Sequence, residues 1–164
     1  MANSSIIGEA KNKIIKEFIN DDAIVKAIEP VEEKVKSKGD LVNQYIFNFN
    51  QNPNTINDVM TFITVQVNIP RQYDKSGTFS VASVVILIVS HESHMKVTNV
   101  PKVTENRNDY LSKLIDNKLN GSNMFGIGRL KLVSNIESAY QTNWLIREMT
   151  FECTDLNNSL CDVE

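Results

Sequence analysis

TFITVQVNI, residues 61–69, decides the class of this fold. Ile63, Val65, Val67 and Ile69 fall on one side of an extended chain and Thr64, Gln66 and Asn68 on the other, because successive side chains of a strand alternate between faces. The spacing predicts a half-buried strand. The next apolar run, FSVASVVILIVS at 79–90, starts with the same alternation and then becomes apolar on both faces, as in a central strand covered on two sides. Between them PRQYDKSGT, 70–78, is too long for a two-residue turn and rich in polar groups, so it reads as a projecting hairpin loop.

Toward the N-terminus, residues 42–50 carry Val42, Tyr45, Phe47 and Phe49 and run into QNPNTIND, a turn-rich stretch around Pro53; this reads as a further strand. EPVEEKVKSKGD, 29–40, is charged and ends in a Gly-Asp turn signal, which suits a solvated surface loop. Ile7, Ala10, Ile14, Ile15, Phe18 and Ile19 recur at near-helical spacing over 5–19, predicting an amphipathic helix. A second, short helix over 20–28 opens with acidic capping residues and stops before Pro30.

Toward the C-terminus, 105–120 places Tyr110, Leu111, Leu114, Ile115 and Leu119 on one helical stripe and ends at Gly121, a residue suited to a left-handed stop. GIGRLKLVS (126–134) and NWLIREMTFECT (143–154), with IESAYQTN between them, read as a second antiparallel hairpin followed by a tail. Helices are segregated from antiparallel strands, so the expected class is α+β. The expectation is a single domain over 1–164, with a helical N-terminal layer at 1–28. A mainly antiparallel sheet of about five strands follows over 42–154, with one long helix, 105–120, packed on it.

Of 164 residues, 41% are hydrophobic and 23% charged, which excludes a disordered tail, a collagen-like rod or a membrane bundle. With 17 Lys plus Arg against 20 Asp plus Glu, the basic stripe that duplex nucleic acid usually requires is not evident. Glu9, Lys11 and Lys13 interrupt any apolar run near the N-terminus, so no export signal is expected. The longest apolar stretch, 81–89, is less than half of the roughly 20 residues that span a bilayer, and the chain is expected to be soluble. Cys153 and Cys161 lack the spacing of a zinc or redox site and point to a reducing compartment.

Candidate chemistry is sparse. His91 and His94 follow a strand and lie three residues apart, an offset that sends the rings of a strand to opposite faces, so no metal site is expected. Gly126-Ile-Gly128 lacks the third glycine and the following helix of a phosphate-binding loop, and reads as a turn or bulge. There is no GxSxG, and Asp109, Asp116, Glu148 and Glu152 are the carboxylates of any acidic domain, Asp109 and Asp116 falling on a helix surface. No catalytic residue and no cofactor is expected. Arg71, Tyr73 and Lys75 in the long hairpin loop are the candidate interface residues, because loops on rigid hairpins often carry binding and an Arg-Tyr pair is typical of interface anchors.

Arg107-Asn-Asp109 opening a helix, Phe125-Gly-Ile-Gly128 entering a strand and the Phe151 to Asp155 ending of the last strand together resemble the small neck and tail-completion proteins of long-tailed bacteriophages. The likeness is nearest to the tail terminators. It implies an α+β protein without catalytic residues that assembles as a ring, a hexamer in that family. Such a ring caps the tail tube and docks it to the head connector, in the neck of a virion assembled in the host bacterial cytoplasm. The partners implied are further copies of the chain, the tail tube protein and head connector proteins, with no membrane and no sequence-specific nucleic acid, DNA passing through the ring. The rival expectation from the residues is a small cytosolic ligand-binding domain or enzyme with a pocket between the sheet and the 105–120 helix; a third is a host-takeover protein that binds a bacterial partner.

Overall fold

The computed structural model describes residues 5–72 and 80–153. Helices α1 (Ser5–Asn20) and α2 (Asp22–Ile28) are followed by two single turns of 3-10 helix and the two-residue strand β1 (Ile46–Phe47). Strands β2 (Thr61–Gln72) and β3 (Ser80–His91), helix α3 (Arg107–Leu119) and strands β4 (Leu130–Tyr140) and β5 (Trp144–Cys153) complete the chain. The sheet order is β1-β2-β3-β5-β4. All neighbours are antiparallel except β1 with β2, so the α+β class and the mainly antiparallel sheet hold.

The helices bury one face of this sheet. Ile14 and Phe18 of α1, Ile24 of α2 and Leu111, Ile115 and Leu119 of α3 meet Ile63 and Val65 of β2, Ile86 and Ile88 of β3 and Met149 and Phe151 of β5, in one core from which water is excluded. On the opposite face Phe47, Phe62, Val89 and Trp144 form a smaller cluster. Its rings meet edge to face, Phe47 to Phe62 at 5.5 Å and Phe62 to Trp144 at 5.9 Å, the geometry that ring quadrupoles favour. β3 therefore occupies the sheet centre and has buried side chains on both faces, Ile86 and Val89 among them.

Three boundaries depart from the expectations. The strand expected over 42–50 shrinks to Ile46–Phe47, because Asn43 adopts a left-handed φ of 62° and the Tyr45 N–H turns back to Leu41 O at 2.9 Å. The loop expected over 70–78 is shorter: Arg71 and Gln72 pair with Val81 and Ser80, after a register shift that begins beyond Asn68. Pro70 lies inside that shift, the kind of sheet irregularity in which proline is tolerated. The strand expected over 126–134 starts and ends later, at Leu130 and Tyr140, leaving only 141–143 as the hairpin connection. Polar residues of 135–140 are drawn into extended structure by pairing with β5, a tertiary contact that overrides their weak strand preference.

Gly121 (φ 80°) follows α3 as a left-handed stop, and Gly126 and Gly128 also adopt positive φ in the connection to β4. Among the described residues no helix is long and apolar enough to cross a membrane.

Candidate functional site

The most concentrated polar chemistry lies between the ends of α2 and α3 and the sheet. α2 ends because Glu29 precedes Pro30, whose ring disfavours a helical residue before it. Glu29 takes a left-handed φ of 57° and its N–H still donates to Val25 O. α3 starts behind Asn106, whose side chain accepts from the Asp109 N–H at 2.9 Å and donates to Asp109 Oδ2 at 2.7 Å. That start places Arg107 on the first helical residue, where the helix dipole disfavours a cation.

Arg107 is nonetheless fully buried. Its guanidinium has four acceptors: Nε donates to His94 O at 2.6 Å, Nη1 to Ala27 O at 2.5 Å, and Nη2 to Lys96 O at 2.9 Å and Glu29 Oε2 at 2.5 Å. One fork of donors thus ties α2, the 92–97 segment and α3 together. An unpaired guanidinium could not be buried, and these bonds, one of them to a carboxylate, offset its desolvation.

The network continues into the sheet. Thr61 of β2 and Ser90 of β3 face each other, with hydroxyl oxygens 2.7 Å apart. Ser90 donates to Asn108 Oδ1 at 2.6 Å, and Asn108 Nδ2 donates to Leu145 O at 3.1 Å. His94 Nδ1 lies 2.8 Å from Thr61 Oγ1, and its Nε2 lies 3.4 Å from Glu29 Oε2. Ser90 spends its proton on Asn108, so the Thr61 hydroxyl is the donor in its contact with Ser90. Burial pushes the His94 pKa below the ordinary imidazole range, the charge of Arg107 pushes it the same way, and Glu29 opposes both.

A carboxylate, an imidazole and a hydroxyl in series are also the parts of a nucleophilic site. Here Thr61 and Ser90 are both 0% exposed, so neither hydroxyl faces solvent, and the arrangement works as a clasp between layers. A second ionic group adjoins it: Arg147 of β5 pairs with Asp109, approaches Glu137 at 3.5 Å and donates to Asn135 Oδ1 at 3.1 Å.

Three clefts open on the surface, and only the last of them borders this network, at Glu29. One of about 360 Å³ lies beside Tyr45, Phe47 and Met60 with the Lys34–Asp58 ion pair on its wall. One of about 320 Å³ has Leu87, Val89 and Ile146 under Asn50, Gln51 and Tyr140, and one of about 420 Å³ lies along Asp22, Lys26, Glu29 and Asn99. Between the sheet and α3, where the ligand-binding expectation puts its pocket, Leu111, Ile115 and Leu119 are each 0% exposed in the core.

Of the three interface residues expected from the sequence, Arg71 lies in β2 opposite Val81; its side chain, and Tyr73 and Lys75 entirely, fall outside the described residues. His91 ends β3, and His94 ends the 3-10 turn Glu92–His94 that follows. Among the described residues no group of three His, Cys, Asp or Glu side chains is placed to hold a metal ion. The role of Arg107 was not drawn from the sequence, although a cation on the first turn of a helix, against the dipole, is itself a sign that its charge is matched elsewhere.

No curated protein and no solved structure matches the chain. One family model does, that of YomW, over residues 12–153.

Proposed function

The chain belongs to the YomW family, which is phage-derived and makes the protein phage-associated, and from that premise we propose that it is a structural component of a phage neck. In this reading it is a tail terminator: a ring of identical subunits, a hexamer, that caps the tail tube and offers a docking surface to the head connector. Its work is geometric and needs no catalytic residue.

The observation that supports the reading is the open side of β2. β1 pairs with β2 only at Ile63 and Thr64, so from Val65 to Gln72 the outer edge of a twelve-residue strand has no strand partner among the described residues. That edge leads into the 73–79 connection with Tyr73 and Lys75, next to Arg71. A neighbouring subunit seated there would cover an edge that a monomer leaves open, and a ring closes such head-to-tail contacts without leaving a free end.

The experiment is the solution mass of the purified chain by light scattering, alone and with tail tube protein. A defined ring, or ring closure on added tube protein, is the expected result. A strict monomer indifferent to tube and connector proteins would overturn the reading. Replacing Arg71, Tyr73 and Lys75 together by Ala should leave a folded monomer that no longer closes or docks; unimpaired assembly would remove those three from the interface.

A further inference from the structure

β4 is the other edge of the sheet, and its outer side is divided in two. Over its first residues the connection from α3 guards it: Gly121 N donates to Leu130 O at 2.7 Å, Leu130 N to Ser122 O at 2.9 Å, and Leu132 N to Asn120 Oδ1 at 3.2 Å. The register then shifts between Leu132 and Ser134, leaving Val133 as an extra residue against β5. From Ser134 to Tyr140 no such guard follows among the described residues. Residues 135–139 are all exposed, and Ile136, a β-branched apolar residue, keeps 56% of its surface in water. The stretch SNIESAY holds no proline and no lysine, two of the usual means by which an edge strand repels another.

We infer that this free half of β4 pairs antiparallel with the same half of β4 in a second copy of the chain, about a two-fold axis at Ile136. The side chains select both partner and register. In this register Ile136 lies opposite Ile136, Ser134 opposite Ser138 and Asn135 opposite Glu137, so the exposed aliphatic surfaces cover each other. Shifting the axis by one residue, to Glu137, sets two carboxylates face to face, which cross-strand pairing disfavours. With the axis at Ile136, each Glu137 instead meets the partner's Asn135, which the partner's own Arg147 holds by a hydrogen bond, as Arg147 holds Asn135 within one chain at 3.1 Å. Arg147 also stands 3.5 Å from its own Glu137, so two guanidinium groups serve two Glu137 carboxylates across the axis. The contact is isologous and ends at two chains. It lies on the opposite edge of the sheet from the β2 side that the ring reading uses, so the two stand or fall separately.

The test is Ile136→Cys in a chain whose Cys153 and Cys161 are replaced by Ser, oxidised at low concentration, with Ser138→Cys as its control. Directly opposed side chains have Cβ atoms about 4.5–5.5 Å apart, whereas two copies of residue 138 would be roughly 13 Å apart in this register. A disulfide-linked dimer from Ile136→Cys and none from Ser138→Cys is the expected result. In parallel, Ile136→Lys should abolish dimerisation of the otherwise native chain in sedimentation, while its unfolding midpoint matches that of the parent diluted to monomer, because the residue is exposed in the single chain. Cross-linking of both cysteine variants to the same extent, or an Ile136→Lys chain as dimeric as the parent, would overturn the pairing. A ring that survives Ile136→Lys intact would leave the terminator reading standing and remove this contact from it; a chain that dimerises through Ile136 yet never closes a ring would do the reverse.

Discussion

Arg107 Nη2 donates to Glu29 Oε2 at 2.5 Å, joining the first residue of α3 to the left-handed residue that closes α2 across 78 positions of sequence. The same guanidinium satisfies three backbone carbonyls, so its loss would leave Ala27 O, His94 O, Lys96 O and a carboxylate without their donor. Arg107→Ala should cost about 3–5 kcal/mol, the range for breaking a buried charge pair. Arg107→Lys should recover little of it, because an ammonium lacks the planar fork. Urea unfolding of both variants checks this; a Lys variant as stable as the parent would mean that charge alone, without geometry, is what this position needs.

The depressed pKa of His94 sets the sign of a pH dependence. The folded protein resists charging the ring while the unfolded chain charges it freely. Its contribution is therefore fully present above the unfolded imidazole pKa and is lost as pH falls through the lowered folded value. Unfolding midpoints measured downward from neutral pH should fall more steeply in the parent than in His94→Gln. Parallel profiles for the two proteins would contradict the buried, neutral ring.

Asp21 titrates separately. Burial raises its pKa, but the Lys118 hydrogen bond, the N–H groups of Ile24 and Ala23 at the start of α2 and the Lys118 charge together hold it below the ordinary carboxylate range. Its stabilisation is present above the unfolded carboxylate pKa and lost as pH falls through the lowered value, below the range in which His94 acts. Asp21→Ala should cost about 0.5–2 kcal/mol, the usual effect of deleting a helix cap, and a nuclear magnetic resonance titration of the carboxyl should place it below an unstructured aspartate. A Asp21→Ala variant with unchanged stability would remove the cap from the account of α2.

Two glycines should respond oppositely to alanine. Gly8 lies within α1 with nothing near a new Cβ, so Gly8→Ala should stabilise by about 0.4–1 kcal/mol. Gly121 has open space as well but a φ of 80°, so Gly121→Ala should destabilise by about 1 kcal/mol. Thermal unfolding of the pair separates backbone conformation from packing; equal shifts would deny the left-handed stop after α3.

Phe62 is 0% exposed between Phe47 and Trp144, on the sheet face opposite the helices. Phe62→Ala should cost about 3–5 kcal/mol and should red-shift the emission of Trp144, the single tryptophan, in the still folded protein. Loss of stability without a spectral change would separate the cluster from the tryptophan environment.

Local pattern alone determined a good part of this molecule. The alternation of Ile63, Val65 and Val67 and the stripe of Leu111, Ile115 and Leu119 are periodicities that a strand or a helix must bury on one face, and the core contains them, while the two-sided apolar run buries Ile86 in that core and Val89 in the cluster on the other face. The helix ends were readable as well, because Pro30 restricts the backbone of the residue before it and Gly121 is free to take a positive φ. The brevity of β1, the extension of β4 through Ser134 to Tyr140 and the clasp around Arg107 were not legible, since each depends on a partner distant in the chain. A polar strand such as SNIESAY becomes extended only because β5 supplies its hydrogen bonds, and a buried arginine is tolerable only where folding brings Glu29 and three carbonyls to its donors. Burial periodicity is local and is written in the sequence; the pairing of polar groups is non-local, and tertiary structure alone decided it.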